Sequence, residues 1–267
     1  LADVVDLPAL DVLLPLDSPL RLLAPRSDEA DLIDLFDDGP RTGLHVRANM
    51  VSTLDGAATG ADHVSGSING PADFRVFRVL RALADVVLVG AGTARGERYT
   101  ALEVPTELRA ARAALGLPAP LELAVVTASG VLPEQLLGSA HPPLVLTTGS
   151  APTLDTLRAR LGADRVIVAD GGTPGAVDHG VALTALGERG LTRVLAEGGP
   201  TLLGQLVAAD LVDELCLTWS PQLVGGPVGR ITHVPTWFAP PRALTPAHLL
   251  HADGVLLGRW RVTRLGA

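Results

Sequence analysis

An acid, two glycines and a proline separate an apolar run from an amphipathic stretch in RVLAEGGPTLLGQLV, residues 193–207. Val194, Leu195 and Ala196 read as a short buried strand. Pro200 suits the first position of a helix, where a missing N–H loses no bond. Leu202, Leu203, Leu206 and Val207 then recur at helical spacing. Glu197, Gly198 and Gly199 therefore occupy a strand-to-helix turn. Glycines there leave backbone N–H groups uncovered at the positive end of a helix dipole, a place suited to phosphate, and the carboxylate can accept hydrogen bonds from a polar ligand. Gly-Gly-Pro is also ordinary turn chemistry, so its meaning depends on what else converges on it.

Three other stretches could carry chemistry. DVVLVGAGTARGERY, residues 85–99, puts Gly90, Gly92 and Thr93 at the C-terminal end of a strand, where open α/β sheets bind ligands. A dinucleotide fingerprint of the Rossmann kind would need glycine where Arg95 stands, and no ribose-binding acid follows at the usual distance, so that fold ranks low. NMVSTLDGAATG, residues 49–60, carries polar Asn49, Ser52 and Thr53 among apolar neighbours, then Asp55-Gly56, which reads first as a turn. In SGSINGPADFRVFRVLRALAD, residues 65–85, Gly70-Pro71 opens a helix with Phe74, Phe77, Leu80 and Ala84 predicted on its buried side. Arg75, Arg78 and Arg81 recur every third residue; at least one is expected only to be solvated, and Arg81 is best placed to grip a phosphate.

These stretches must be held by something, and the rest of the chain suggests what. From Leu44 onward, apolar runs alternate with helical patterns, which predicts an α/β fold with a mainly parallel central sheet flanked by helices. The last segments, around His248 and over Val255 to Val262, turn at Asp253-Gly254 and predict an antiparallel hairpin. Residues 1–43 read as an acidic, proline-spaced extension packing on the domain and ending in one short helix, ADLIDLFDDG. Residues 44–267 read as a single domain.

Composition narrows the function classes. A net charge of −8 argues against a nucleic-acid backbone as partner. All 21 basic residues are Arg, which excludes a Schiff-base lysine and the phosphate loop that ends in Gly-Lys. The lone Cys216 excludes an intrachain disulfide or thiolate metal cluster and reads as core, and the scattered histidines give no metal site. Every long apolar run is interrupted and the first residues are acidic, so a soluble cytoplasmic protein is expected, with no membrane span.

The motifs taken together resemble the reductase half of the bacterial riboflavin-biosynthesis deaminase/reductase, a pyrimidine reductase family with a dihydrofolate-reductase-like fold. The matching residues are LDG at 54–56, Ser-x-x-Ile-x-x-Pro from Ser65 to Pro71 leading into Leu80-Arg81, VLVGAGT at 87–93, and EGGPTLLGQL followed by LVDEL within 197–215. The resemblance implies hydride transfer from NADPH to a ribosylaminopyrimidinone 5′-phosphate, opening the ribose to a ribityl chain, and a homodimer. It implies NADPH contacts at Ser52, Ser67, Gly90, Gly92, Thr93, Glu97, Gly198, Gly199, Pro200, Thr201 and Leu202. Thr127 and Ser129 would lie near the adenosine end. Asn49, Ser65, Arg81, Arg98 and Glu197 would hold the substrate. Glu197, Asp55 or a bound water could supply the proton.

Two departures bear on the substrate. Ala57 stands where the family commonly has a basic residue after Asp-Gly, and Gly96-Glu97-Arg98-Tyr99-Thr100 replaces an acidic pair and a later Arg. Arg98 is expected to replace the missing phosphate ligand. One Cys cannot supply the zinc ligands of the deaminase half, so a stand-alone reductase is expected. A pterin reductase of the same fold, or a non-catalytic nucleotide-binding protein, are the rival readings.

Overall fold

Strands covered by helices on both faces read as near-continuous apolar runs, and the alternation seen from Leu44 onward becomes such a sheet. The computed structural model describes residues 7–15, 21–37, 39 and 43–265. In chain order the elements begin β1 (Leu10–Leu14), β2 (Arg21–Leu23), α1 (Ala30–Phe36), β3 (His45–Thr53), α2 (Pro71–Ala82), β4 (Val86–Gly90), α3 (Ala91–Gly96) and α4 (Thr106–Ala114). They continue β5 (Glu122–Val126), α5 (Glu134–Leu137), β6 (Leu144–Thr147), α6 (Leu154–Leu161), β7 (Val166–Val168), α7 (His179–Gly187), β8 (Arg193–Ala196) and α8 (Pro200–Ala208). Last come β9 (Glu214–Ser220), β10 (Leu244–Ala252) and β11 (Val255–Val262).

All these strands join one sheet in the order β2-β1-β10-β11-β9-β3-β8-β4-β5-β6-β7. From β9 to β7 every pairing is parallel; from β9 to β2 every pairing is antiparallel. The mainly parallel sheet with a terminal hairpin is the architecture that the sequence predicts. The hairpin turns at Asp253 and Gly254, whose φ values of 50° and 82° suit a tight two-residue turn. Alternate residues of β4 serve opposite cores: Val87 and Val89 belong to the core that includes residues of α1, α2, α4, α5 and α6, whereas Val86 and Leu88 belong to the one that includes residues of α7 and α8.

The N-terminal segment differs from the sequence reading. Alongside the expected helix α1, it contributes β1, paired antiparallel to β10, and β2, paired to β1. The parts of the extension at 1–6, 16–20, 38 and 40–42 lie outside the described residues. Short helices α3 and α5 are also absent from the sequence reading, because one turn shows no periodicity.

Buried arginines hold the N-terminal segment. Arg75, 1% exposed, forms a two-bond pair with Glu29 (2.8 and 2.7 Å) and donates to the carbonyls of Pro8, Leu23 and Ala24 at 2.8–2.9 Å. Arg78 pairs with Glu107 and Arg81 turns into a cleft, so none of the three helical arginines is merely solvated, contrary to expectation. The buried side of α2 is likewise Ala72, Val76, Val79, Leu80 and Ala82, with Phe74 and Phe77 only half-buried. The cause is that the N-terminal segment covers a second face of the helix.

A second cluster lies where β3, β9 and β11 meet. Buried Glu214 accepts from Arg47 Nε at 2.7 Å and from Arg259 Nη2 at 2.5 Å, while the same two side chains donate to the carbonyls of Phe36 and Leu35 at the end of α1. Burial alone would raise the Glu214 carboxyl. The His45 bond and the two guanidiniums reverse this and hold it well below the usual carboxylate range. Cys216, one residue along the same face of β9, is buried core, and burial pushes its thiol up to about 11. Among the described residues no helix is long and apolar enough to cross a membrane, and no cluster of His, Cys, Asp and Glu could hold a metal ion.

Candidate active site

Because β4 and β8 are neighbours in the sheet, the two glycine-rich turns that follow them abut at its C-terminal edge. The Gly90 N–H donates to the Gly198 carbonyl at 2.8 Å. Gly198 has φ +85°, and a side chain there would also press on Met50, 3.0 Å from the Cβ position. A Cβ on Gly199 would collide with the Thr93 hydroxyl. Glycine at both positions lets α3 and α8 start side by side. The N-terminus of α8 has no side-chain cap, and Gly199 and Pro200 form part of a cleft wall. The N–H groups of the first residues of a helix lack intrahelical acceptors, so this helix start beside the cleft is an anion-attracting end.

That cleft has a volume of about 480 Å³ and lies between the end of β3, the 58–69 loop, the inner face of α2, α3 and the 197–200 turn. Glu197 leaves β8 pointing across it toward α2. Its carboxylate, 3% exposed, accepts from Arg81 Nε and Nη2 at 2.7 Å each, and from the Tyr99 hydroxyl at 2.5 Å. The Arg81 guanidinium lies over the Phe77 ring, 4.1 Å from its centroid. Burial alone would lower Arg81, but the Glu197 carboxylate outweighs it and holds the guanidinium above its usual value. Burial and the Glu197 charge together push the Tyr99 phenol well up, so Tyr99 keeps its proton at neutral pH.

Asp73, in the first turn of α2, faces the same cleft and is 5% exposed. The Thr218 hydroxyl of β9 donates to its Oδ1 at 2.5 Å, and the Asn69 side chain also hydrogen-bonds it. Among the described residues it forms no ion pair. Burial pushes its carboxyl up to about 6, against the two hydrogen bonds, which lower it. A folded-state value above the unfolded one means that folding grows less favourable as pH rises from about 4 through about 6, by roughly 3 kcal/mol in all. Asp73→Asn is therefore expected to raise stability at pH 7.5 and to leave it nearly unchanged at pH 4, as urea unfolding at the two pH values would show.

Of the residues singled out in the sequence, Asn49, Ser65, Arg81, Gly92, Thr93, Glu97, Glu197, Gly199 and Pro200 line this cleft together. Glu97 accepts the Ser65 N–H at 2.6 Å and so ties the 58–69 loop to α3. The others lie outside the lining. Gly90 and Gly198 support the turn from behind, and Leu202 is buried core while Thr201 is exposed. Ser52 is buried and donates to the Thr53 carbonyl; exposed Ser67 donates to Asp62. Thr127 and Ser129 lie just beyond β5, their hydroxyls 3.5 Å apart.

Two placements depart from the chemistry expected of them. Asp55 is exposed: the Thr53 hydroxyl and the Gly225 and Val224 N–H groups bind its carboxyl and hold it below the usual range, so it pins two loops together. Arg98, with φ 54°, is exposed and points away from the lining, because the left-handed turn needed to bring Tyr99 inward throws its neighbour out. The chemically important cleft residues that sequence reasoning missed include Asp73, its partner Asn69, Phe77 as a cleft wall, and Tyr99. The single tyrosine of the chain, set in the segment that departs from the family pattern, was the available signal.

Comparison with known proteins agrees with this architecture. Residues 44–248 match the RibD C-terminal domain. The chain is 28% identical over 184 residues to the 2,5-diamino-6-ribosylamino-4(3H)-pyrimidinone 5′-phosphate reductase of Archaeoglobus fulgidus, spanning 68% of this chain and 82% of that protein. It is 31% identical over 188 residues to the protein of that name from Methanothermobacter thermautotrophicus, spanning 68% and 80%. A solved structure of a pyrimidine reductase-like protein from Corynebacterium diphtheriae superposes with a TM-score of 0.73 at 27% identity, covering 88% of this chain and 99% of that one. With the match spanning every element that builds the cleft, the chain belongs to the RibD C-terminal domain family.

Proposed function

We propose that the protein reduces a 2,5-diamino-6-ribosylamino-4(3H)-pyrimidinone 5′-phosphate, taking hydride from a nicotinamide dinucleotide, NADPH by preference, and opening the ribose to a ribityl chain. The observation that carries this reading is the Arg81–Glu197–Tyr99 group standing directly beside the uncapped N-terminus of α8. A bound cofactor supplies the hydride. The chain must bind its diphosphate, orient the sugar and limit water.

The Gly199–Pro200 turn fits the diphosphate, since the glycine leaves room for close approach and the helix end is positive. Thr93 and Gly92 face it from α3, and Thr127 and Ser129 extend the path toward the adenosine end. Glu197 has three of its roughly four acceptor positions occupied by protein donors, which leaves about one for a sugar hydroxyl. Arg81 keeps its outer N–H groups for the substrate phosphate, in company with the Ser65 turn. Asp55 and Arg98 have no part in this arrangement. With Glu197 held by a guanidinium and a phenol, a cleft water is the proton source that fits best.

The test is NADPH oxidation followed at 340 nm with the pyrimidine phosphate and, separately, with dihydrofolate. Turnover of the pyrimidine is expected. Oxidation with dihydrofolate alone would replace this reading by a pterin reductase, and NADPH binding without oxidation by either compound would make the protein a nucleotide binder. Gly199→Ala, which drives a methyl group into Thr93, is expected to weaken NADPH binding about tenfold or more in a fluorescence titration. We also propose a homodimer, supported by the exposed Leu54, Leu223 and Trp237 on the loops after β3 and β9; sedimentation of the purified protein checks it.

A further inference from the structure

Three cleft residues, Asp73, Phe77 and Arg81, follow one another at intervals of four along α2, and that spacing stacks them on a single face of the helix. They present a carboxyl, an aromatic ring and a guanidinium bound to Glu197, in that order. From first to last they span about 12 Å of helix. A pyrimidine ring with its sugar fits that sequence of chemistries: the polar edge of the ring at Asp73, its face against Phe77, and the sugar at Arg81 and Glu197.

The first member of this row has no partner of opposite charge among the described residues. Among these same residues Asp73 receives neutral donors, the Thr218 hydroxyl and the Asn69 side chain. Buried acids are ordinarily paired with a cation or kept neutral, and Asp73 has an open cleft in place of a cation. Two protein donors leave roughly two acceptor positions on the carboxylate. The ligand edge that satisfies such a group is a pair of parallel N–H donors.

We propose that Asp73 is a specificity-determining residue, which accepts the 2-amino and N3–H donors of the pyrimidinone and thereby selects the 2-amino substrate over its 2-oxo counterpart. This rests on the functional reading above and adds to it the group that makes the choice. In the 2-oxo compound a carbonyl oxygen replaces the amino group and faces the carboxylate, acceptor against acceptor. A site built to bind a donor discriminates strongly against a ligand that lacks it, because the buried acceptor is then left unsatisfied. Burial favours the neutral acid in the empty cleft, and the two ligand donors favour the ionised form that they bind.

The experiment compares kcat/KM for 2,5-diamino-6-ribosylamino-4(3H)-pyrimidinone 5′-phosphate and for its 2-oxo counterpart, 5-amino-6-ribosylaminouracil 5′-phosphate, in the unaltered protein and in Asp73→Asn. The unaltered protein is expected to prefer the 2-amino compound by about a hundredfold or more. Asp73→Asn should lose most of that preference: KM for the 2-amino compound rises, and the 2-oxo compound is used better than by the unaltered protein, because the amide N–H can donate to its 2-carbonyl. Calorimetric binding of the two compounds to the unaltered protein, without cofactor, should show the same order. Equal use of both compounds, or an unchanged ratio in a folded Asp73→Asn protein, overturns the assignment of Asp73 and leaves the reductase reading standing. Reduction of neither compound removes both.

Discussion

Arg81→Met is expected to lose about 3–5 kcal/mol of folding stability and nearly all turnover. The substitution leaves the Glu197 carboxylate, 3% exposed, with the Tyr99 hydroxyl as its remaining described donor, and removal of one member of a buried ion pair costs about that much. Urea unfolding measures the first effect and NADPH oxidation the second. The double variant Arg81→Met/Glu197→Leu separates them. A buried pair replaced by apolar side chains of similar volume is often neutral, so most of the stability should return while turnover stays absent. Recovery of turnover in the double variant would show that the pair serves packing alone.

Glu214→Gln should destabilise by a similar amount, about 3–5 kcal/mol, because Arg47 and Arg259 are then left buried around a neutral amide. The pH dependence has a definite sign. The folded-state carboxyl of Glu214 titrates below its unfolded value, so its contribution is fully present above about pH 4.5 and is lost as pH falls below that. The unaltered protein should therefore lose denaturant resistance steeply on acidification. Glu214→Gln should start lower and fall less over the same range. Parallel curves for the two proteins between about pH 3 and 6 would contradict this account.

The sequence made the parallel core legible because strands such as β4, β6 and β8 are buried on both sides and read as apolar runs. The Asp253-Gly254 turn was legible for a local reason, its positive φ angles. Strands β1 and β2 were not, because what makes β1 a strand is its pairing of Asp11 with His251, some 240 residues away, and no local pattern records that. Nothing in the sequence marked Arg75 as buried, because charge at every third position of a helix usually is solvated; its burial comes from the N-terminal segment folding over it.

At the site, the Glu197-Gly-Gly-Pro turn was legible because strand end, glycine and helix start are local features. Arg81 was identified from its position beside an apolar flank, but its pairing with Glu197 joins residues on β8 and α2 and needed the fold. Asp73 was hidden for a different reason: an acid in the first turn of a helix already has an explanation in the helix dipole, so nothing marked it as facing a cleft. Arg98 and Tyr99 are adjacent and the sequence favoured the charged one. Only the backbone turn at Arg98 decides which of the two points inward.

The arginine anchors on the N-terminal segment limit how the molecule can be dissected. A fragment begun at residue 44, where the family match starts, would strip Arg75 of Glu29 and of the Pro8, Leu23 and Ala24 carbonyls, and would take the Phe36 and Leu35 carbonyls from Arg47 and Arg259. Arg75 and Arg81 share α2, so the damage would reach the helix that walls the cleft. Expression designs that trim to the matched boundary should yield insoluble material, and a purification tag is better fused at the far end of the chain.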